Sequence, residues 1–361
     1  MGIKYTLTTL IVIGLFLFTA LPESPAQEPL YKDKLIRILV GYTPGGGVDT
    51  SARLVARGVA KYIPGKPNLI IQNMPGAGGR IALTYLYNVA KRDGLTWAVV
   101  PSSLPFNQIL DKDRKFDVSK LTYLAGSVEP GIVLVHAVTG VKTAADLTKI
   151  DPAKLVIPGR GNPDVGQMYL KTTLGLLGVK SGYKTSLGYR GTAQIVAAML
   201  RGEASLYSWS LVNILKGGIM YDSIQEGKII PLWQSGQMNS QGKVVRDPRI
   251  DFDLPTFEEV YREIKGKPVS GVPAEAARFL GPGLRTLSRS VIMPPGVPEN
   301  KIKILRGSFN ALIKSQDFAR TLERVTGFKW LWMGGKKAET IRDGLLKGVS
   351  PEVVTYIESL M

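Results

Sequence analysis

The chain has 361 residues, 44% of them hydrophobic and 21% charged, the profile of a globular protein of about two domains rather than a disordered one. With no cysteine and one histidine, His136, disulfides and thiolate catalysis are excluded, as is any metal or catalytic site that needs two histidines; no cofactor is indicated. Lys and Arg number 46 against 29 Asp and Glu, a net charge of +17 that favours anionic partners, but the basic residues are scattered without a Lys/Arg-rich block, so nucleic acid is set aside.

Taken in chain order, Lys4 precedes an apolar run from Leu7 to Leu21, and Ser24-Pro25-Ala26 supplies the small residues a signal peptidase reads. Residues 1–26 are therefore expected to be a secretory signal peptide, with a retained N-terminal anchor as the alternative. The run is short for a spanning helix, which needs about 20 apolar residues. No cysteine follows for a lipid anchor, and no later segment is long and apolar enough to span a membrane.

Ile36, Ile38, Leu39 and Val40 form an apolar run of strand length, followed by Tyr42, Pro44, Gly45, Gly46 and Gly47. Asp49 is a good N-cap type, and Ala52, Val55, Ala56, Val59 and Ile63 recur at helical spacing after it. A glycine turn against a helix N-terminus is a pocket for an anion, and a carboxylate is expected there. Asn68–Gln72 reads as a second strand, Met74–Gly79 as a second glycine turn, Arg80–Lys91 as a helix and Leu95–Val100 as a third strand. Strands alternating with helices imply parallel pairing, with ligands at the carboxyl ends of the strands. The second glycine turn is either another anion site or a packing turn. Ser102 and Ser103, just after the third strand, either donate to a ligand or cap the next segment.

From about Gly126 to Gly236 the alternation resumes, with strands at Ile132–Ala137, Lys154–Ile157, Tyr183–Ser186, Ala204–Ser208 and Lys228–Gln234. Helices are expected at Thr143–Ile150, from Asp164, and at Thr192–Arg201. Arg160, Gly161 and Asn162 lie in one loop, and Tyr189, Arg190 and Gly191 in another. Either arginine can grip a carboxylate with two parallel bonds or lie exposed on its loop. Ser208 and Trp209 end a strand, the tryptophan as cleft wall or as core. His136, within an apolar strand, is read as structural. Beyond Met238 a polar stretch leads to a helix capped by Thr256, a helix over Ala274–Leu280, a strand over Leu287–Met293, a helical pair over Glu299–Val325 and helices at Lys337–Lys347 and Pro351–Leu360. A lone strand followed by helices cannot build its own sheet, so it should return to the first domain and make a two-crossover hinge.

The runs PGGGVD, IIQNMPGAGG and KRDGLTWAVV, then GYRGTAQIVAAMLRGEASL, LPTFEE and MPPGVPENKI, resemble the extracytoplasmic receptors of tripartite tricarboxylate transporters, the Bug family. The resemblance covers nearly the whole chain after residue 26. It implies an α/β fold of the type II periplasmic binding protein kind: two lobes joined by a two-crossover hinge with the ligand cleft between them. Lobe 1 would comprise residues 27–125 and 238–361, and lobe 2 residues 126–237. The implied ligand is a small organic carboxylate held largely by backbone N–H groups of the loop that runs from Pro44 to Asp49, by Ser102 and Ser103, and by the loops at Gly161-Asn162 and Tyr189-Arg190-Gly191. The implied protein is a periplasmic monomer that delivers its ligand to one large and one small integral membrane subunit. Pro163 departs from the family's Gly-Asn-Gly and removes a backbone donor. Ser208, Trp209 and Ser210 stand where the family carries an aspartate, and the segment between Phe257 and Ser290 is longer than usual. No nucleophile–base pair or G-x-S-x-G turn is present, which counts against a secreted enzyme on the same scaffold. A ligand sensor that presents its closed form to a signalling partner is the other alternative.

Overall fold

The computed structural model describes residues 30–111, 113–161 and 163–361, so the expected signal peptide and Asn162 lie outside the described residues. The first stretch runs β1 (Leu35–Val40), α1 (Gly47–Val59), β2 (Asn68–Asn73), α2 (Arg80–Asn88), β3 (Thr96–Pro101), α3 (Ser103–Leu110) and β4 (Thr122–Val128). Ile36, Ile38, Leu39 and Val40 are fully buried because β1 lies between β2 and β3 with helices on its faces. In α1 the buried Val48, Ala52, Val55 and Val59 recur every three or four residues and pack on the sheet.

The chain then crosses through Glu129 and Pro130 into a second lobe. Here β5 (Gly131–His136), β6 (Val156–Pro158), α4 (Val165–Leu177), β7 (Lys184–Ser186), α5 (Thr192–Leu200), β8 (Leu206–Ser210), α6 (Ile219–Gln225) and β9 (Ile229–Gln234) follow. The helix expected at Thr143–Ile150 is a 3₁₀ turn at Ala144–Thr148. A small hairpin, β10 (Gln237–Met238) and β11 (Val244–Val245), leads to α7 (Phe257–Lys265) and α8 (Val272–Arg278). The return gives β12 (Arg289–Met293), α9 (Glu299–Lys314), α10 (Gln316–Thr326), β13 (Leu331–Gly334), α11 (Gly335–Lys347) and α12 (Pro351–Glu358).

Six strands of the first lobe align as β13-β4-β12-β3-β1-β2. β12 lies antiparallel between β3 and β4, Val291 facing Val99 on one side and Ala125 on the other. The predicted return strand is thus wholly buried inside the first sheet. The second lobe has the same device: β5 is inserted antiparallel between β8 and β9, which run in one direction and are linked through α6. Strand–helix–strand units keep parallel direction in both lobes, with an antiparallel strand from the crossover segment wedged between the partners.

One expected boundary is displaced. Residues 238–361 were assigned to the first lobe, but α7, α8 and α12 bury their apolar faces with α4 and β9 of the second. The Phe257 ring lies 5.6 Å from Trp233, and Val353 and Ile357 share that core. The apolar face of α7 has no cover except the outer face of the second lobe, so burial carries these helices across the cleft. The crossings are at residues 129–130, 285–288 and 348–350. Among the described residues no helix is long and apolar enough to cross a membrane, and no group of acidic or histidine residues could hold a metal.

Candidate ligand-binding site

The glycine turn forms as expected, but its donors are partly committed. Gly45 has φ of +81°, a conformation glycine takes without strain, and its N–H donates to Asp49 Oδ2 at 3.0 Å. Asp49 is not the N-cap. Gly46 holds that position, and Asp49 sits in the first turn of α1, bound also by Arg53 Nε at 2.9 Å and Asn73 Nδ2 at 3.0 Å. Burial pushes the Asp49 carboxyl up, but the bonds from Arg53, Gly45 and Asn73 outweigh it and hold it below the ordinary carboxylate range. An acidic side chain therefore already occupies the positive end of the helix. Gly47 N–H donates to Asn213 Oδ1 at 3.0 Å, across the cleft. A Cβ at Gly47 would stand 2.3 Å from that oxygen, so any larger residue would have to displace the Asn213 side chain. Pro44 and Gly45 are exposed, outside the cavity wall.

Both lobes line a small, partly open cavity between them. The first lobe supplies Val48 and Ser102; the second supplies Arg160, Thr192, Tyr207, Ser208, Ser210 and Asn213; the return crossing supplies Arg285, and the start of β12 supplies Arg289. These two arginines are 8% and 3% exposed. Arg285 Nη1 donates to Ser210 Oγ. Arg289 Nη1 donates to the Ser288 carbonyl at 2.9 Å, and its Nη2 lies 3.6 Å from Glu129 Oε2. Glu129, at the first crossing, is fully buried, and among the described residues neither of its carboxylate oxygens accepts a hydrogen bond; Arg289 Nε likewise has no acceptor. Burial pushes Arg285 down to about 10 despite the nearby Glu129, and burial lowers Arg289 too. Such depressed guanidiniums mark cations whose desolvation is incompletely offset by protein carboxylates.

The other expected site residues are distributed around this cavity. Arg160, its side chain 16% exposed, is held by Asp164 Oδ2 at 3.0 Å and lies over the Tyr42 ring at 5.6 Å. The same Asp164 caps α4 by accepting from Gly166 and Gln167. Tyr42 donates its hydroxyl to the Gly78 carbonyl at 2.7 Å and, with Ser103 and Gly161, lines an adjoining recess. Gly46 backs onto Thr192. Arg190 is exposed: its carbonyl, not its guanidinium, reaches the first lobe, accepting from Thr43 N–H at 3.2 Å. Gly191 follows, and a Cβ there would stand 2.4 Å from Thr43 Oγ1. Tyr189 is half-buried and donates its N–H to the Gly159 carbonyl. Trp209 is fully buried, edge-on to Tyr207 at 5.1 Å, in the core rather than on the wall. His136 ends β5, its Nδ1 accepting from Val138 N–H at 3.0 Å, a structural histidine as read from the sequence.

Sequence reasoning missed Arg285, Arg289, Ser210, Asn213 and Glu129. A signal was present in FLGPGLRTLSRSVIM, where two arginines four residues apart interrupt an apolar run that ends in a buried strand. A cation in such a run needs an anion close by.

The two-lobed architecture is that of the type II periplasmic binding protein fold. No family model matches the chain. Among curated proteins it is similar to a UPF0065 protein of Cupriavidus necator, 31% identical over 184 residues, 49% of this chain and 54% of that protein. It is also similar to BugT of Bordetella pertussis, 36% identical over 96 residues, 27% of this chain and 28% of that protein. The chain thus matches about half of the first relative's length and about a quarter of the second's. Among solved structures, the periplasmic binding protein BugD superposes with a TM-score of 0.68 at 17% identity, covering 91% of this chain and 98% of that one. MatC of Rhodopseudomonas palustris with bound malate superposes with a TM-score of 0.64 at 20% identity, covering 91% and 99%. These likenesses establish the fold, and they fall in the group of proteins that the sequence motifs resemble.

Proposed function

We propose that the protein is a periplasmic solute-binding receptor that encloses a small organic carboxylate between its lobes and delivers it to a tripartite tricarboxylate-type transporter with one large and one small membrane subunit. The observation that carries this reading is the interlobe cavity lined by buried arginines and serine hydroxyls. Its support from relatives is that BugD is named a periplasmic binding protein and that MatC holds malate. Micromolar capture requires about −8 kcal/mol. Hydrogen bonds to a charged group contribute about 1.5–3 kcal/mol each, so three or four such contacts suffice if closure costs little. Arg285, Arg289, Ser102 and Ser208 supply that number. Catalysis is not part of this reading: the cavity serines have no histidine beside them, since His136 is engaged at the end of β5.

The test is mass spectrometry of small molecules released on denaturing freshly purified protein, followed by thermal shift with a panel of carboxylates. The expected result is a carboxylate that raises Tm and is recovered chemically unchanged after prolonged incubation. No stabilising carboxylate, or conversion of the bound compound, would end the proposal.

A further inference from the structure

The charges around the cavity narrow the class of carboxylate, an inference that rests on the receptor reading above. Three guanidiniums meet this space, those of Arg160, Arg285 and Arg289. Arg160 is balanced by Asp164 at 3.0 Å. Arg285 and Arg289 have one carboxylate between them, Glu129, which stands 3.6 Å from Arg289 and accepts no hydrogen bond among the described residues. Asp49 at the glycine turn is balanced separately by Arg53 at 2.9 Å, and neither lines the cavity. The wall therefore carries three cations, Arg285 and Arg289 buried and Arg160 partly so, against two buried anions behind it, Asp164 and Glu129. In a space closed by contact between the lobes, an unbalanced charge of either sign is strongly unfavourable.

We infer that the closed cleft selects monocarboxylates: one anionic group set against Arg285 and Arg289, the remainder of the ligand uncharged and facing Ser102, Ser208 and Asn213. One ligand carboxylate brings the excess of one positive charge to zero, and a second leaves an excess of one negative charge. The serine and asparagine groups offer hydroxyl or keto substituents a partner, and none of them offers a second carboxylate a cation.

The test is calorimetry on the purified protein with pairs matched in chain length, 2-hydroxybutyrate with malate and hexanoate with adipate. In each pair that binds, the monoacid is expected to bind about tenfold tighter. A diacid that binds as tightly as its monoacid, or tighter, overturns the inference. Glu129→Gln supplies a second arm, since removing that carboxylate raises the cavity excess to two positive charges. The ratio of monoacid to diacid affinity should then fall by about tenfold. General damage to the fold weakens both members together and leaves the ratio unmoved, so an unmoved ratio also overturns the inference. If no carboxylate of either charge binds, the receptor reading itself falls and takes this inference with it; a preference for diacids removes the inference alone.

Discussion

Asp49 shows how one side chain changes the meaning of a motif. A glycine turn before a helix suggests open N–H donors, yet Asp49 Oδ2 accepts from Gly45 and Arg53, and its other oxygen from Asn73. The carboxylate makes the turn rigid and neutralises the helix end. Its folded pKa lies below the ordinary 3.8. A depressed carboxyl pKa means that the unfolded chain binds the proton more readily, so the stabilisation is fully present above about pH 4 and is lost as pH falls through the folded value. Asp49→Asn should destabilise the protein at pH 7 by about 1–3 kcal/mol. The Tm gap between variant and parent, followed by calorimetry from pH 7 to pH 3, should close below pH 4. A gap that stays constant to pH 3 would show that the charge contributes nothing.

Among the elements, α7 was read correctly from its cap and wrongly in its placement. Thr256 accepts from Glu259 N–H at 3.2 Å while Glu259 Oε2 accepts from Thr256 N–H at 2.7 Å, a reciprocal box that local sequence specifies. Thr256→Ala should cost about 1 kcal/mol, measurable as a lowered denaturant midpoint with unchanged slope; a midpoint equal to the parent's would dismiss the cap. What the cap cannot say is which lobe the helix covers. β4 (TYLAGSV) escaped prediction for a related reason: Gly126 reads as a break, but a Cβ there would meet Ala338 of α11 at 2.9 Å and Leu287 at 2.7 Å. The glycine serves the packing of a helix more than 200 residues further along.

At the scale of the whole molecule, the lobes meet through backbone. Thr43 N–H reaches the Arg190 carbonyl, and the extended Gly191 lies against Thr43 Oγ1. Because the Gly191 backbone suits any residue, a side chain there acts only by holding the lobes apart. Gly191→Val should therefore leave the far-ultraviolet spectrum and the ligand-free Tm nearly unchanged while raising Kd at least about tenfold. Small-angle scattering should show the variant failing to contract with ligand. Contraction equal to the parent's would place closure elsewhere.

The sequence by itself determined the local grammar: buried β1, the left-handed glycine, the cap of α7, and a return strand that had to find a partner sheet. Backbone conformation, capping and apolar spacing are each set within about ten residues, so one chain read in order suffices for them. The tertiary structure alone decided the chemistry of the cavity. Glu129 and Arg289 are 160 positions apart and become partners only because β12 enters the first sheet beside the first crossing. Desolvation then gives those two charges their importance, and desolvation exists only once the lobes have closed around them.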